Sequence, residues 1–415
     1  MQPIRLPAIA DIPVAEAIGI PYTTATMRLF LDYRPALKEP TGVGAWVHEL
    51  VRALLALKSD GESEASDLEI VLFSSSLRDR LAGSAIEELA GVTPIDCRLP
   101  VRALNAAWYR LGWPPVEWLA KGPFDIVHAT TPALLPARSG LRVSTIYDLD
   151  FLYHPDRAWG EMRRDFPRLV GDHSRKADLV VTISNHSARD ISRALGVSDA
   201  KIAVCRPGVP RWITSRATAD APRSGGYILF VGTLEPRKNV AGLLGAYERL
   251  LSRWPDAPRL VLAGRQTPAA QPWIARATSS AFKGQVDIRG YIPDGDRAST
   301  YLGAAVVVLP SFEEGFGLPA LEAMALGIPV VVSNRGALPE VVGHAGLQID
   351  PEDADSIADA LHRLLREPEL HQACRDAGLA RASQFSWSDS ARSLLQHYLS
   401  AMARRQQAVG RGARS

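Results

Sequence analysis

Cysteine is scarce in this chain: there are three among 415 residues, at Cys97, Cys205 and Cys374. Their odd number and wide spacing exclude a disulfide framework and a paired-cysteine metal knuckle, and leave them as small buried hydrophobes in a reducing compartment. A surplus of charge is missing too. The 47 Lys+Arg against 45 Asp+Glu give a formal net charge of +2, too weak a field to gather a nucleic acid. No apolar run reaches the roughly eighteen residues that a membrane-spanning helix requires. Residues 1–26 carry a single cation, Arg5, and are broken by Pro3, Pro7, Pro13 and Pro21. A secretion signal needs a basic start and an unbroken apolar stretch, so this segment reads as a loose extension and the chain as cytoplasmic.

What is present is globular composition, 47% hydrophobic and 22% charged, at a length that suits two domains. Short apolar runs alternate with amphipathic stretches of helical length: MRLFLD from Met27, then EIVLFS, DIVHAT, RVSTIYDL and DLVVTIS. Runs apolar on both faces belong to parallel strands covered by helices, so the class is α/β, doubly wound. The stretch Arg211–Gly226 is polar and aperiodic and reads as a linker. After it the alternation restarts with YILFVGTL, RLVLAG, VDIRGYI, VVVLPS, PVVVSN and GLQI. The expected organisation is an extension (1–26), a first Rossmann-like domain (27–210), a linker (211–226), a second Rossmann-like domain (227–385), and a final segment (386–415). That last segment is a helix able to fold back on the first domain, followed by a frayed basic tail with Arg404, Arg405, Arg411 and Arg414. The two domains would face each other across a cleft.

The richest stretch in chemistry is Val306–Ser333. A buried strand runs into Ser311, a loop follows with Glu313, Glu314, Gly315, Phe316 and Gly317, and Leu318–Pro319 opens a helix that Gly327 closes. A loop at the carboxyl end of a strand and the amino end of a helix offers open N–H groups and a favourable dipole to a phosphate. Glu314 lies in the loop and Glu322 in the helix, where two carboxylates can accept hydroxyl hydrogens from two parts of one ligand. An early helical glutamate that merely complements the dipole would explain Glu322 alone, but not the loop.

This segment resembles the E-x7-E signature of retaining glycosyltransferases of the two-Rossmann-domain GT-B fold, in particular glycosyltransferase family 4. The resemblance runs from Met27 to about Leu399. It implies that Glu322 binds the nucleotide ribose, that Glu314 contacts the donor hexose, and that Gly315, Phe316, Gly317 and Leu318 line the donor site. In FVGTLEPRKN (Phe230–Asn239) it implies that Lys238 neutralises the donor diphosphate, whose charge grows as it leaves. Many relatives carry an arginine directly after the glycine of this turn; here Thr233 stands there, and Arg237 is the substitute cation. A plain exposed basic turn is the competing reading. The GTLEPRKN form is similar to bacterial mannosyltransferases of O-antigen and exopolysaccharide assembly.

Gly42 and Gly44, in TGVGAWVHE, would bring the first strand–helix turn close to the donor phosphates and the acceptor, although such turns are common packing features. As a dinucleotide fingerprint the turn fails, because Val47 stands where a third glycine is needed, and no acidic residue ends EIVLFS. A nicotinamide or flavin oxidoreductase is thereby disfavoured. His128 ends a strand at the ligand-binding edge. It reads either as a bonded core histidine or, by the resemblance, as a contact to the donor sugar. Tyr147 stands where many relatives have a histidine, and Asp148 is available to an acceptor hydroxyl. Tyr291, in RGYIPD, belongs to the loop that borders the nucleotide base in the resembled family.

Three Asp-x-Asp pairs occur, Asp148/Asp150, Asp294/Asp296 and Asp353/Asp355. Lys238 and the helix start already offset phosphate charge, so no metal and no cofactor is expected. The partners expected are a nucleotide-sugar donor, most simply GDP-mannose, and a glycan or lipid-linked acceptor. A UDP-sugar donor, or a protein that binds nucleotide sugars without turnover, are the alternatives. The segment Val101–Gly122 concentrates Trp108, Tyr109, Trp113 and Trp118 beside Arg102, Arg110 and Lys121. It suits peripheral contact with a membrane surface or a helix pair packed on the first sheet.

Overall fold

A computed structural model describes residues 26–37, 42–81, 84–155, 166–214, 226–282 and 284–412. The expected extension and most of the expected linker lie outside the described residues. Two all-parallel sheets organise the rest. The first has seven strands in the order β3-β2-β1-β4-β5-β6-β7, with β1 at Met27–Asp32, β2 at Leu68–Ser75, β3 at Thr93–Cys97, β4 at Ile126–Ala129, β5 at Leu141–Thr145, β6 at Leu179–Thr182 and β7 at Ile202–Val204. The second has six, β10-β9-β8-β11-β12-β13, with β8 at Tyr227–Val231, β9 at Leu260–Ala263, β10 at Val286–Gly290, β11 at Ala304–Leu309, β12 at Val330–Ser333 and β13 at Leu347–Ile349. In each sheet the order reverses beside the first strand of the domain, which opens a crevice at the carboxyl edge.

The central strands are apolar on both faces because helices cover both. Leu29, Phe30 and Leu31 in β1, and Val306, Val307 and Val308 in β11, are all fully buried. Burying each such side chain is worth about 1.5–3 kcal/mol. The first helix, Val43–Ser59, turns Trp46, Val47, Leu50, Val51, Leu54 and Leu57 inward at three- and four-residue spacings. Helix Asn185–Leu195 starts where the Ser184 side chain accepts from the Ser187 N–H, and stops at Gly196 in the left-handed region.

The last helix, Trp387–Gly412, leaves the second domain and lies on the first. Its Ala391, Leu394, Leu395 and Tyr398 are buried in the same core as the inner face of Val43–Ser59, and Arg392 pairs with Glu62 at 2.7 Å. The frayed tail is a correction: the helix continues through Arg404, Arg405 and Arg411, and Arg405 bonds the Gly140 carbonyl and, at 3.0 Å, Asp178. The chain therefore crosses between domains twice, side by side. Val209 N–H donates to the Phe385 carbonyl at 3.1 Å. Gly208 is obligatory at this crossing, since a Cβ there would strike the Trp387 backbone nitrogen.

Candidate active site

Between the two carboxyl edges lies a cavity of about 620 Å³. Its second-domain wall begins where β8 ends. Pro236 starts a single 3-10 turn through Lys238, and Asn239 holds it by accepting from the Gly242 N–H and donating to the Pro351 carbonyl at 2.7 Å. Lys238 Nζ then reaches Glu314 Oε1 at 2.5 Å, Ser311 Oγ donates to the same oxygen at 2.8 Å, and Arg237 Nη1 lies 3.3 Å from Oε2. Arg237 also donates to the Glu313 carbonyl and to Glu235, each at 2.9 Å. Glu314 is nearly buried, which alone would raise its pKa, but Lys238 and Arg237 outweigh burial and hold the carboxyl below its usual range. Burial pushes the Lys238 ammonium down, and Glu314 offsets only part of that.

The loop after Glu314 passes close to the first domain. A Cβ on Gly315 would stand 2.6 Å from the Tyr147 carbonyl, so glycine alone permits this approach. The N–H groups of Gly315, Phe316, Gly317 and Leu318 bond to no described residue and precede helix Leu318–Ala325 at the cavity wall. Such an array suits an anion.

Glu314, Lys238, Arg237, Thr233, Gly315, Phe316, Gly317, Leu318, Gly42, Tyr291, Tyr147 and Asp148 all line this one cavity. Three expected residues do not. His128 is fully buried in β4, with Nδ1 2.6 Å from Tyr398 Oη and Nε2 2.7 Å from Thr145 Oγ1. With both nitrogens used and burial lowering its pKa to about 3, it is a neutral core residue that joins the last helix to the first sheet, not a sugar contact. Gly44 faces the Arg34–Ala36 turn, where a Cβ would come within 2.8 Å of the Pro35 carbonyl, so its role is packing. Glu322 sits one layer behind the wall: Arg297 donates to Oε1 and Tyr301 Oη to Oε2, each at 2.5 Å. Arg297, stacked on Trp212, is the part of this group that reaches the cavity.

Sequence reasoning missed Arg297 and Arg265. Arg265 follows Gly264 at the end of β9, the position beside β8 at which Thr233 follows Gly232. Its exposed side chain lines the cavity and bonds to no described residue, whereas Arg237 is engaged by Glu313, Glu314 and Glu235. A search for basic residues one step past each strand-end glycine would have found it. Members of two of the three Asp pairs have partners within the chain. Asp353 caps helix Ala354–Arg366 while Asp355 pairs with Arg249 and Arg253, and Asp148 accepts from the Asp150 N–H. No group of three metal-capable side chains forms among the described residues.

Residues 40–211 match the family described as Glycosyltransferase Family 4, and residues 214–381 match Glycosyl transferases group 1. An O-antigen chain mannosyltransferase B of Escherichia coli is 30% identical over 376 residues, 88% of this chain and 97% of that protein. The chain belongs to glycosyltransferase family 4. A D-inositol 3-phosphate glycosyltransferase of Corynebacterium urealyticum is 31% identical over 69% of this chain and 68% of its own length. Among solved structures, sucrose-phosphate synthase from Thermosynechococcus elongatus superposes with a TM-score of 0.68 at 20% identity, covering 91% of this chain and 99% of that one. HepE from Anabaena, solved with UDP-glucose, gives a TM-score of 0.62 at 16% identity, covering 90% and 100%. The fold of this family 4 glycosyltransferase is therefore GT-B, two Rossmann-like domains around the cavity described above.

Proposed function

We propose that this glycosyltransferase moves a mannosyl group from GDP-mannose to a glycan or lipid-linked saccharide in cell-surface polysaccharide synthesis, with retention of configuration. The likeness to the O-antigen chain mannosyltransferase supports the sugar and the pathway class. One observation supports transfer: Lys238, Arg265 and the Gly315–Leu318 amides, which bond to no described residue, line the same cavity, and a departing diphosphate needs such groups. Asp148 and Tyr147 line the first-domain wall of the same cavity, which we assign to the acceptor. A double displacement would need a carboxylate free to attack the anomeric carbon. The two signature glutamates, Glu314 and Glu322, have both oxygens engaged, which favours the front-face reaction we assign. The bond from C1 to the diphosphate oxygen breaks, the acceptor oxygen bonds C1 on the same face, and the acceptor proton passes to the departing diphosphate.

No metal or cofactor enters this scheme, so EDTA should leave turnover unchanged. The product should keep the α configuration of GDP-mannose, read from its one-bond carbon–proton coupling. A β product, or EDTA-sensitive activity restored by Mn²⁺, would overturn the mechanism. Thermal shift against GDP-mannose, UDP-glucose and UDP-N-acetylglucosamine ranks the donors, because stabilisation follows ligand concentration over Kd. Greater stabilisation by a UDP-sugar would replace the donor assignment, and binding without turnover on any acceptor would leave a nucleotide-sugar-binding protein.

A further inference from the structure

The aromatic segment that follows β3 divides into an anchored half and a displayed half. Trp108 is buried, and its indole N–H donates to the Pro114 carbonyl at 2.9 Å. Val116 N–H donates to the Pro136 carbonyl at 2.9 Å, while Glu117 accepts from the Arg138 and Ser139 N–H groups at 2.8 and 3.1 Å. Upon this platform Leu111, Trp113 and Trp118 are 75%, 55% and 59% exposed, and the two indoles meet edge to face at 6.0 Å. Leu99 and Val101, also exposed, extend the same segment. Held loops do not display two tryptophans to water without a use for them.

Charge accompanies the patch. Residues 98–142 contain six cations (Arg98, Arg102, Arg110, Lys121, Arg138, Arg142) and two carboxylates, Glu117 and Asp125, a local net of +4 in a chain whose total is +2. Both carboxylates are turned to backbone: Glu117 as above, and Asp125 to the Arg28 N–H at 2.8 Å. Behind the platform a second cavity, of about 370 Å³, is lined by Arg138, Arg142, His173 and Lys176. Arg34, which pairs with Asp32 at the cleft end of β1, donates to Asn105 and stacks on Trp108, tying the segment to the edge where the acceptor enters.

We propose that this face docks the enzyme on an anionic lipid bilayer, with Leu111, Trp113 and Trp118 entering the interface and Arg98, Arg102, Arg110 and Lys121 meeting the lipid phosphates. Amphipathic indoles settle at headgroup depth, and clustered Lys and Arg are drawn to a negative leaflet. A local surplus of one sign, with both carboxylates turned to backbone, is complementary to a leaflet of uniform negative charge. The proposal is independent of which sugar is transferred, because its test reads binding rather than turnover.

The test is co-sedimentation of the full chain with vesicles of phosphatidylcholine alone and of equimolar phosphatidylcholine and phosphatidylglycerol. Wild type should pellet with the anionic vesicles, not with the neutral ones, and should release as salt rises. Trp113→Ala with Trp118→Ala should lower the partition coefficient at least about tenfold, with the melting temperature unchanged because both side chains are largely solvated. Arg102→Glu, Arg110→Glu and Lys121→Glu together should abolish it with the indoles intact. Failure of wild type to pellet with anionic vesicles overturns the proposal, as does pelleting of both variants at the wild-type level. Self-association of wild type that the double variant loses, without vesicle binding, assigns the face to a protein contact and overturns it equally.

Discussion

The two walls of the cavity are built on the same Rossmann plan and differ in nearly everything else. The second-domain wall is an interlocked charge network in which Lys238, Arg237, Glu235 and Glu314 fix one another and Arg297 is fixed by Glu322. The first-domain wall offers Gly42, Val43, Trp46, Tyr147, Ile183 and Pro207, with Asp148 as its one carboxylate among the described residues. A leaving diphosphate makes the same demand in every turnover, and groups already held in place stabilise it without reorganising. The acceptor wall has only to shape and orient a hydroxyl, a demand that many surfaces can meet. Variants on the two walls should therefore fail in different ways.

The largest effect belongs to the donor wall. Lys238→Ala should lower kcat about 10²–10³-fold while donor binding weakens less, because diphosphate charge grows as the glycosidic bond breaks. Glu314 keeps Arg237 and Ser311 in this variant, so the fold survives. Turnover equal to wild type at saturating donor would make Lys238 a structural partner of Glu314 and no more. Glu322→Ala comes next. It should weaken nucleoside diphosphate binding by about 1.5–3 kcal/mol through Arg297, which Glu322 holds at the cavity; a direct ribose contact would first require Glu322 to leave Arg297 and Tyr301. Calorimetry with Arg297→Leu separates the two: if Arg297 presents the site, the single variants should weaken binding alike and the double variant should add little.

His128 breaks the symmetry between walls. It occupies the strand-end position that binds ligands in open α/β sheets, yet the returning last helix covers it. His128→Ala should cost about 1–3 kcal/mol of stability by orphaning Tyr398 and Thr145, with KM for donor unchanged. A loss of kcat without a loss of melting temperature would restore it to the site. Here the limit of sequence reading is plain. The strand MRLFLD and the loop EEGFG are local patterns, in which burial on both faces and glycine before a helix each leave a mark on adjacent residues. Whether a strand-end histidine faces the cleft or Tyr398 depends on a helix 270 residues away. Strands β3 and β7 escaped notice for a different reason: both are sheet edges, β3 has exposed and half-buried positions instead of an apolar run, and β7 is three residues long. Arg265 is equally legible in RLVLAGR, as the basic residue one step past a strand-end glycine.

Arg265→Ala tests whether this cation meets the donor. Arg265 is exposed and bonds to no described residue, so its loss should cost roughly 1 kcal/mol of donor affinity and leave stability untouched. Arg237→Ala, in contrast, should lower both, since Arg237 is bonded to Glu313, Glu314 and Glu235. Equal behaviour of the two variants would remove the distinction between a committed and an available cation.

The smallest effect concerns how the walls are held together. His186, on the first domain, has Nε2 2.8 Å from Glu313 Oε1 on the second, and Glu340 accepts from the Asn185 and His186 N–H groups at 3.0 Å. The hydrogen bond to Glu313 raises the His186 pKa; burial and Arg189 oppose this, Asp190 assists, and Tyr153 lies near the same carboxylates. A histidine raised by this contact stabilises it fully below its ordinary value near 6.5, and that contribution is lost as pH rises through the raised value. Donor affinity should thus decline modestly from pH 6 to pH 9, by no more than about fivefold, because the pair is partly solvated and Glu340 still bridges the domains. His186→Gln should flatten this decline while Glu340→Gln should lower affinity at every pH. A decline of unchanged slope in His186→Gln would assign the pH dependence to another group and leave Glu340 as the contact that holds the two walls at working distance.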